Sequence, residues 1–374
     1  MTPSQALADA AHLVQTFQSD YNCGPRGTPT YCPVITVGGS YPGFLSFAMR
    51  LQHSDVIDGA YAASAPVNFY SQKTPQSEYY NLVTKSAELS LSGCAEAIQS
   101  ALSTVHEEIL AATDFEAYAV SSLNVCPDVP SYITTASMFA DELFMVIGYT
   151  FANLNMANYP PTNATGLFSA CSTFADSTLT ESQKAATLLS TLTSPATCFS
   201  LSSQLPAGLN ATVSSGDWSG VGSGADGEMW DFQTCSLLVE SIGYDETSMF
   251  PPREWTMDWL TDHCKARFDV TPDPLKLATS WGFDDLESTD LTRVLFTNGL
   301  NDGWSVGSIV SVDDIENAAE RELVVMNFPN GAHHSDLAHS DPSGEDTVDI
   351  QKGHADILQL MGRWLQQIKE EYQS

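Results

Sequence analysis

A serine at the tip of a sharp strand-to-helix turn restricts the fold of this chain more than any other local pattern. The β-branched run Val34-Ile35-Thr36-Val37 indicates a short buried strand, and Gly38-Gly39-Ser40 follows it directly. Residues 44–53 then carry apolar side chains at helical spacing, and the small-residue segment 59–67 can form the next strand. A strand, a helix and a strand of these lengths predict a βαβ unit and therefore a parallel sheet.

A long segment with a mainly helical pattern interrupts these strand signals. Helical stretches such as 94–111, 138–154 and 254–268 are joined there by Ser/Thr-rich links. We therefore expect a helical insertion in a sheet domain. The predicted division is 1–68 for the first part of the sheet domain, 69–286 for a helical cap insertion and 287–374 for the second part.

The sheet pattern resumes after the insertion and ends in a helix. Val294–Gly299 and Leu323–Phe328 each have the composition of a buried strand, and each is followed by a polar loop with glycine. At the start of the chain, Ser4 is the predicted N-cap of an amphipathic helix. A long helix of about 349–372 closes the chain, with a predicted buried stripe of Ile350, Ile357, Leu358, Leu360, Met361, Trp364, Leu365 and Ile368.

The charge of the chain excludes two classes of partner. Its 374 residues include 46 Asp and Glu against 14 Lys and Arg, so the formal net charge is −32. A polyanion repels nucleic-acid phosphates and anionic membrane surfaces. The longest apolar runs, such as 323–328, are far shorter than the roughly 20 residues that span a bilayer. We therefore expect no nucleic-acid partner and no membrane partner.

The cysteines and two sequons indicate an oxidising compartment. None of the cysteines forms the tight CxxC pair of a zinc site, so disulfides are expected rather than a metal. Asn163 and Asn210 each begin an Asn-Ala-Thr sequon in a polar stretch and are predicted glycosylation sites. Together these features favour a secreted or lysosomal/vacuolar protein, although the first residues carry no signal-peptide pattern. The eight cysteines are Cys23, Cys32, Cys94, Cys126, Cys171, Cys198, Cys235 and Cys264.

Three predicted strands are each followed by a reactive side chain, and the order of these three residue types along the chain is informative. Ser40 comes first, Asp302 follows the next strand after the insertion, and His333 or His334 follows the last strand. This is the order of nucleophile, acid and base in the α/β-hydrolase fold. A serine hydroxyl needs a histidine that accepts its proton, and the histidine needs a carboxylate that fixes its tautomer. Because parallel sheets place their sites at the carboxyl ends of strands, we expect the three side chains to meet there.

Each of these residues taken alone has an ordinary structural interpretation. Gly-Gly-Ser is usually a turn, Asn301-Asp302-Gly303 is a common turn sequence, and a His-His pair after a strand is more often a surface feature. Their occurrence together, at the ends of three strands of one predicted sheet, favours catalysis.

Four blocks of sequence carry a family resemblance over essentially the whole chain. They closely resemble the serine peptidase family of lysosomal Pro-Xaa carboxypeptidase, dipeptidyl peptidase II and thymus-specific serine protease. By this resemblance Ser40 is the nucleophile, Asp302 orients the base and His333 is the base. The blocks are Gly38-Gly39-Ser40-Tyr41, Ala62-Ala63-Ser64-Ala65-Pro66, Asn298-Gly299 with Asp302-Gly303-Trp304-Ser305, and Gly331-Ala332-His333-His334-Ser335-Asp336-Leu337.

The resemblance also implies a disulfide pattern and a fold. The fold is an α/β-hydrolase parallel sheet with a large disulfide-linked helical cap insertion, and neither a cofactor nor a metal is expected. The implied pairs are Cys94–Cys171, Cys126–Cys198 and Cys235–Cys264, which leaves Cys23 and Cys32 to each other.

The function implied by the resemblance is a serine exopeptidase that acts beside proline, as a carboxypeptidase or a dipeptidyl peptidase. Peptide substrates are the expected partners, and the sequence leaves a homodimer open. Phe44 and Trp304 can supply aromatic walls for a proline ring, with ordinary core packing as the alternative, and the Tyr41 N–H can serve the oxyanion hole. Two other functions compete with this one: a lipase or esterase with the same triad, and an inactive fragment that acts as a binding module.

Two departures from the family pattern affect the expected activity. Pro42 stands where the family turn usually has glycine, although proline is tolerated in the first turn of a helix. Only 39 residues precede Ser40, whereas the family has several strands before its nucleophile. We therefore expect an N-terminally truncated chain without the first strands, one oxyanion donor and the signal peptide, and a poor enzyme in this form.

Overall fold

The chain folds into two compact units. A sheet unit consists of Met1–Ser71 and Ala278–Ser374, and a helical unit consists of Gln72–Leu277. The domain boundaries placed at 69 and 286 stay a prediction. The structure, a computed structural model, describes residues 2–192, 197–204, 228–337 and 346–371.

In the described part of the chain, the strands lie near its two ends with α-helices between them, as the sequence predicts. The strands predicted at 294–299 and 323–328 and the helix predicted at 94–111 have these bounds in the structure. In the described ranges the elements are α1 (Pro3–Asp20), β1 (Ile35–Gly39), α2 (Tyr41–Gln52), β2 (Gly59–Ala63), α3 (Val67–Tyr70), α4 (Glu78–Ser90), α5 (Cys94–Ala111), α6 (Phe115–Ser122), α7 (Ala136–Met156), α8 (Gly166–Ala175), α9 (Glu181–Ser190), α10 (Leu201–Gln204), α11 (Glu228–Thr234), α12 (Met257–Phe268), α13 (Lys276–Trp281), β3 (Val294–Gly299), β4 (Leu323–Phe328) and α14 (Val348–Glu371).

The sheet unit is built on parallel strands in the order β1-β2-β3-β4. In register, Val37 of β1 lies opposite Tyr61 of β2, and Thr297 of β3 lies opposite Met326 of β4. The central strands β2 and β3 are buried along their whole length, as expected for strands covered on both faces. The predicted α/β fold, a parallel sheet with a helical insertion, is confirmed. Because all four strands are parallel, their carboxyl ends lie at one edge of the sheet.

The backbone of helix α2 lies very close to the backbones of β1 and β2. A Cβ at position Gly38 would lie 2.2 Å from the carbonyl oxygen of Pro42, and one at Gly43 would lie 2.6 Å from that of Ala63. No side chain fits at either position without movement of the backbone. The glycines around Ser40 thus allow the helix to start immediately beside the strand, as a sharp strand-to-helix turn requires.

The N-cap of the first helix lies two residues before the predicted one, so the prediction of Ser4 as N-cap is wrong. Thr2 is the N-cap, and its hydroxyl oxygen accepts a hydrogen bond from the N–H of Gln5. Pro3 occupies the first helical position, where its missing N–H costs nothing and its fixed φ already suits a helix.

The last helix buries a narrower stripe than the sequence predicts. Leu358 is 72% exposed and Leu365 is 40% exposed, so neither belongs to the buried face. Gly353 does belong to it, because Phe328 of β4 fills the space where its side chain would lie, 2.3 Å from the position of a Cβ. The Phe328 ring thus packs directly on the backbone of α14 at Gly353. The buried residues are Ile350, Gly353, Ile357, Leu360, Trp364 and Ile368.

The helical unit is cross-linked by three of the four disulfides. Its longest described helix, α7, is buried over most of its turns, and α5 and α8 pack against it. The bridges join the same pairs that the family resemblance implies. They are Cys94–Cys171, Cys126–Cys198 and Cys235–Cys264 in the helical unit, and Cys23–Cys32 in the sheet unit.

The length of the loop that a bridge closes predicts how much the bridge stabilises the protein. Cys94–Cys171 spans 77 positions and Cys23–Cys32 spans nine. By loop entropy, Cys94→Ala with Cys171→Ala should lower the free energy of unfolding by about 4.5 kcal/mol, and Cys23→Ala with Cys32→Ala by about 2.5 kcal/mol. Denaturant unfolding of the two double variants measures this difference. A larger loss from the short loop than from the long one would contradict it.

Candidate active site

Ser40 holds a backbone conformation that residues with side chains rarely adopt. Its φ is 61° and its ψ is −134°. The conformation is fixed from both sides, because the Ser40 N–H donates to the carbonyl of Ala63 at 2.8 Å and the Ser40 carbonyl accepts from the N–H of Phe44 at 3.1 Å. Strain of this kind is typical of a nucleophile turn, which presents the serine hydroxyl at the end of its strand.

A buried carboxylate and a histidine meet beyond the ends of β3 and β4. Oδ2 of Asp302 lies 2.6 Å from Nδ1 of His333, and Oδ1 accepts a hydrogen bond from the N–H of Trp304 at 3.1 Å. The Asp302 side chain is fully buried and that of His333 is 8% exposed. A carboxylate at this nitrogen favours the tautomer with a proton on Nδ1, which leaves Nε2 free to accept a proton from another group.

His334 lies against the strand of the serine. A Cβ at Gly39 would lie 2.9 Å from Cγ of His334, so the histidine ring covers the residue that precedes Ser40. The rings of His333 and His334 are 4.5 Å apart. Burial, together with the nearby His333, lowers the pKa of His334 below its ordinary value, so this ring stays neutral further into the acid range. The hydrogen bond to the Asp302 side chain belongs to His333.

Tyr41 is the first residue of α2 and follows Ser40 directly. Backbone N–H groups in the first turn of a helix have no partner within the helix, which makes them suitable donors to an oxyanion. Pro42 lies in the same turn, where the helix accommodates it. Burial raises the pKa of the Tyr41 phenol to about 12, so its hydroxyl is protonated in the neutral and acid range. The oxyanion role of Tyr41 stays a prediction.

The two predicted aromatic walls have different surroundings. Phe44 is fully buried, with its ring centroid 6.2 Å from that of Trp281 and 5.4 Å from that of Phe283. Trp304 is 8% exposed, and its ring centroid lies 6.3 Å from that of His333. Trp304 is therefore beside the candidate base, whereas Phe44 packs in an aromatic core. Substrate contact stays a prediction for both.

Two side chains that hold the loop of the two histidines were not predicted from the sequence. Ser64, which follows β2, accepts a hydrogen bond on Oγ from the N–H of His334 at 2.9 Å. The Tyr61 hydroxyl of β2 donates to the carboxylate of Asp336. The sequence contains one signal for this contact, since Tyr61 is the single tyrosine of the small-residue strand Gly59–Ala63. A buried tyrosine hydroxyl usually needs a hydrogen-bond partner.

One cluster of side chains in the helical unit has the spacing of metal ligands but not their chemistry. Among the residues that the structure describes, Asp231, Cys235 and His263 form such a group. Cys235 is bonded to Cys264 and therefore offers no thiolate, and Oδ2 of Asp231 lies 2.6 Å from Nη1 of Arg267. These residues do not fit a metal ion and instead pair a buried carboxylate with two cationic or cationisable groups.

The predicted glycosylation sites differ in what the structure describes. Asn163 is exposed in the turn before α8, where the hydroxyl of Thr165 caps the helix by accepting from the N–H of Phe168. Asn210 lies outside the described residues. In the described ranges, the helices are too short or too polar to cross a membrane.

Known proteins resemble the chain over nearly its whole length. The family model of serine carboxypeptidase S28 matches residues 1–357. Lysosomal Pro-X carboxypeptidase of Bos taurus is 27% identical over 98% of this chain and 68% of its own length, and that of Mus musculus is 29% identical over 92% and 66%. Thymus-specific serine protease of Mus musculus is 25% identical over 99% of this chain and 70% of its own length. The chain thus spans about two thirds of the length of these relatives.

Proposed function

Because the chain belongs to the serine carboxypeptidase S28 family, we propose that it is a serine exopeptidase whose catalytic triad is Ser40, His333 and Asp302. The observation that carries this proposal is the 2.6 Å contact between Asp302 and His333 at the sheet edge where β1 ends in the strained Ser40. This is the side-chain set that acyl transfer to a serine needs.

In the proposed reaction His333 moves a proton twice. Nε2 of His333 takes the proton of the Ser40 hydroxyl while the oxygen forms a bond to the peptide carbonyl carbon. The proton then passes to the nitrogen of the scissile bond, which breaks and releases an amine. Water repeats the sequence on the acyl-serine, so the acid leaves and Ser40 regains its proton. Asp302 keeps its charge throughout and stabilises the imidazolium.

Electrostatic support for the tetrahedral intermediate comes in this proposal from the first turn of α2. The Tyr41 N–H donates to the negative oxygen, aided by the positive end of the helix dipole. A preorganised donor of this kind costs no reorganisation when the charge forms. Its position in the residue after the nucleophile is the one that α/β-hydrolases use.

A preference for proline is supported by the relatives and by one side chain. The Bos taurus and Mus musculus proteins named lysosomal Pro-X carboxypeptidase are similar to this chain over 98% and 92% of its length. Trp304 lies beside His333, where an indole face can pack on the apolar ring of a proline. We infer release of a carboxy-terminal residue that follows proline. The disulfides and these relatives also support export to the lysosome or the cell exterior.

A pair of matched peptides tests the substrate. We expect the protein to release the last residue from a peptide with a penultimate proline, at least about tenfold faster than from the same peptide with alanine there, since a filled apolar pocket discriminates by 10-fold to 200-fold. Mass spectrometry of the peptide products measures both rates. The Ser40→Ala variant, purified in the same way, controls for contaminating peptidases.

Two further substrates separate the competing functions. Cleavage of an Xaa-Pro amide instead of the carboxy-terminal bond would move recognition to the amino terminus. Turnover of a short acyl ester without cleavage of any peptide would contradict the exopeptidase and favour an esterase. Equal rates on the proline and alanine peptides would contradict the proline preference alone.

A further inference from the structure

A buried contact between a tyrosine and an aspartate lies behind the loop that carries the two histidines. The Tyr61 hydroxyl donates to Oδ2 of Asp336, and each residue is only 4% exposed. Burial, and then the negative charge of Asp336, raises the pKa of Tyr61 far above its ordinary value, so the phenol keeps its proton and remains a donor. Nε2 of His354 in α14 lies 3.0 Å from the backbone oxygen of Asp336. The turn at Asp336 is thus anchored to both β2 and α14.

The same strand also anchors the other end of the loop and the nucleophile. Ser64 follows β2 directly, is 1% exposed, and accepts the His334 N–H on its Oγ. Its φ of 46° is unusual for a serine. The carbonyl of Ala63, one residue earlier, accepts the N–H of Ser40. Within four residues, β2 and its end therefore contact both the turn of the candidate nucleophile and the loop of the candidate base.

We propose that Tyr61 and Ser64 are positioning residues that set the distance between Ser40 and His333. The inference rests on the proposed triad. His333 and His334 lie beyond the end of β4, outside the hydrogen bonds of the sheet. Their loop is held by backbone bonds, such as the one from the Asn301 N–H to the Gly331 carbonyl, and by the side-chain contacts of Tyr61 and Ser64. A shift of about 1 Å in a reacting group can lower a rate by about 10². Loss of the Tyr61 hydroxyl would leave the buried Asp336 carboxylate without this donor, which favours movement of the turn.

The chain contains a matched control for the Tyr61–Asp336 contact. Tyr31 donates to Oδ2 of Asp58 at 2.9 Å, and Asp58 is 1% exposed. This pair has the same donor and the same buried acceptor. It lies at the amino ends of β1 and β2, where Asp58 also accepts the N–H of Val34, and so at the sheet edge opposite to Ser40.

The test compares the Tyr61→Phe and Tyr31→Phe variants of the 374-residue protein. We expect Tyr61→Phe to lower kcat by about 10-fold to 100-fold with KM changed by less than about twofold, and to slow fluorophosphonate labelling of Ser40 by the same factor as kcat. We expect Tyr31→Phe to change neither, although it too removes a tyrosine hydroxyl that donates to a buried carboxylate. A merely structural role of Tyr61 would give the two variants the same kinetics.

A second variant keeps the inference testable if Tyr61→Phe fails to fold. Ser64→Ala removes the acceptor of the His334 N–H without touching a charged group, and we expect the same loss in kcat at unchanged KM. If the wild-type protein labels at Ser40 and both variants label at the rate of Tyr31→Phe, the inference is wrong and the proposed triad stands. If the wild-type protein does not label at Ser40, the proposed function itself is wrong.

Discussion

Replacement of Ser40 by alanine should abolish covalent labelling by a fluorophosphonate and lower kcat by about 10⁶, the loss typical of a removed serine nucleophile. The physical reason is the strained turn between β1 and α2, which places Ser40 at the carboxyl end of β1, the sheet edge beyond which Asp302 and His333 pair. Without this oxygen no acyl-enzyme can form, and the remaining donors accelerate only attack by water. Labelling followed by peptide mapping identifies the modified residue.

Ser46 provides the control for this substitution. Ser46 lies on α2, the helix that follows Ser40, is 4% exposed, and donates to the Thr36 hydroxyl at 3.0 Å. Ser46→Ala should keep both the labelling and the activity, since its oxygen is buried in the helix–strand contact. Persistent labelling of the Ser40→Ala variant, for example at Ser64, would assign the nucleophile to another serine.

Replacement of His333 by alanine should have an effect of similar size. Its Nδ1 lies 2.6 Å from Asp302, so it alone of the two histidines combines this carboxylate with a nitrogen left to accept a proton. Loss of the base should lower kcat by at least about 10³ and by up to about 10⁶ while the affinity for substrate changes little. Pre-steady-state acylation with a chromogenic substrate measures the affected step directly.

His334→Ala is the natural comparison, because the neighbouring ring is chemically identical. His334 lies against Gly39, and its lowered pKa keeps the ring neutral. The hydrogen bond to the Asp302 carboxylate is made by His333 instead. We expect a much smaller loss in kcat for His334→Ala than for His333→Ala. The reverse ranking would transfer the role of base to His334.

Much of the secondary structure could be predicted because it depends on close neighbours along the chain. The strands 294–299 and 323–328 have the predicted bounds, since β-branched and apolar runs between turn residues are a local signal. The cap at Ser4 was predicted wrongly although the better signal is local, since Pro3 suits the first helical position and makes Thr2 the cap. The burial of Leu358 was predicted wrongly because helical spacing does not determine how wide a face of the helix the rest of the fold covers.

The candidate site could be predicted as a set of residue types but not as a set of contacts. The order Ser40, Asp302 and a histidine follows from the chain, because each residue ends a predicted strand. From the residues alone, His333 and His334 were equivalent, and only the path of the loop brings Nδ1 of His333 to Asp302. Likewise Phe44 and Trp304 were equal candidates, and packing buries the first among aromatic rings.

Short segments and their order were enough to predict the family, the parallel βαβ pattern and the residue types at the strand ends. The pairing of Asp302 with His333 came from packing, and so did the contact of Tyr61 with Asp336, two residues 275 positions apart. A hydrogen bond acts over about 3 Å. Which side chains come that close depends on how distant strands and loops pack, not on their own sequence.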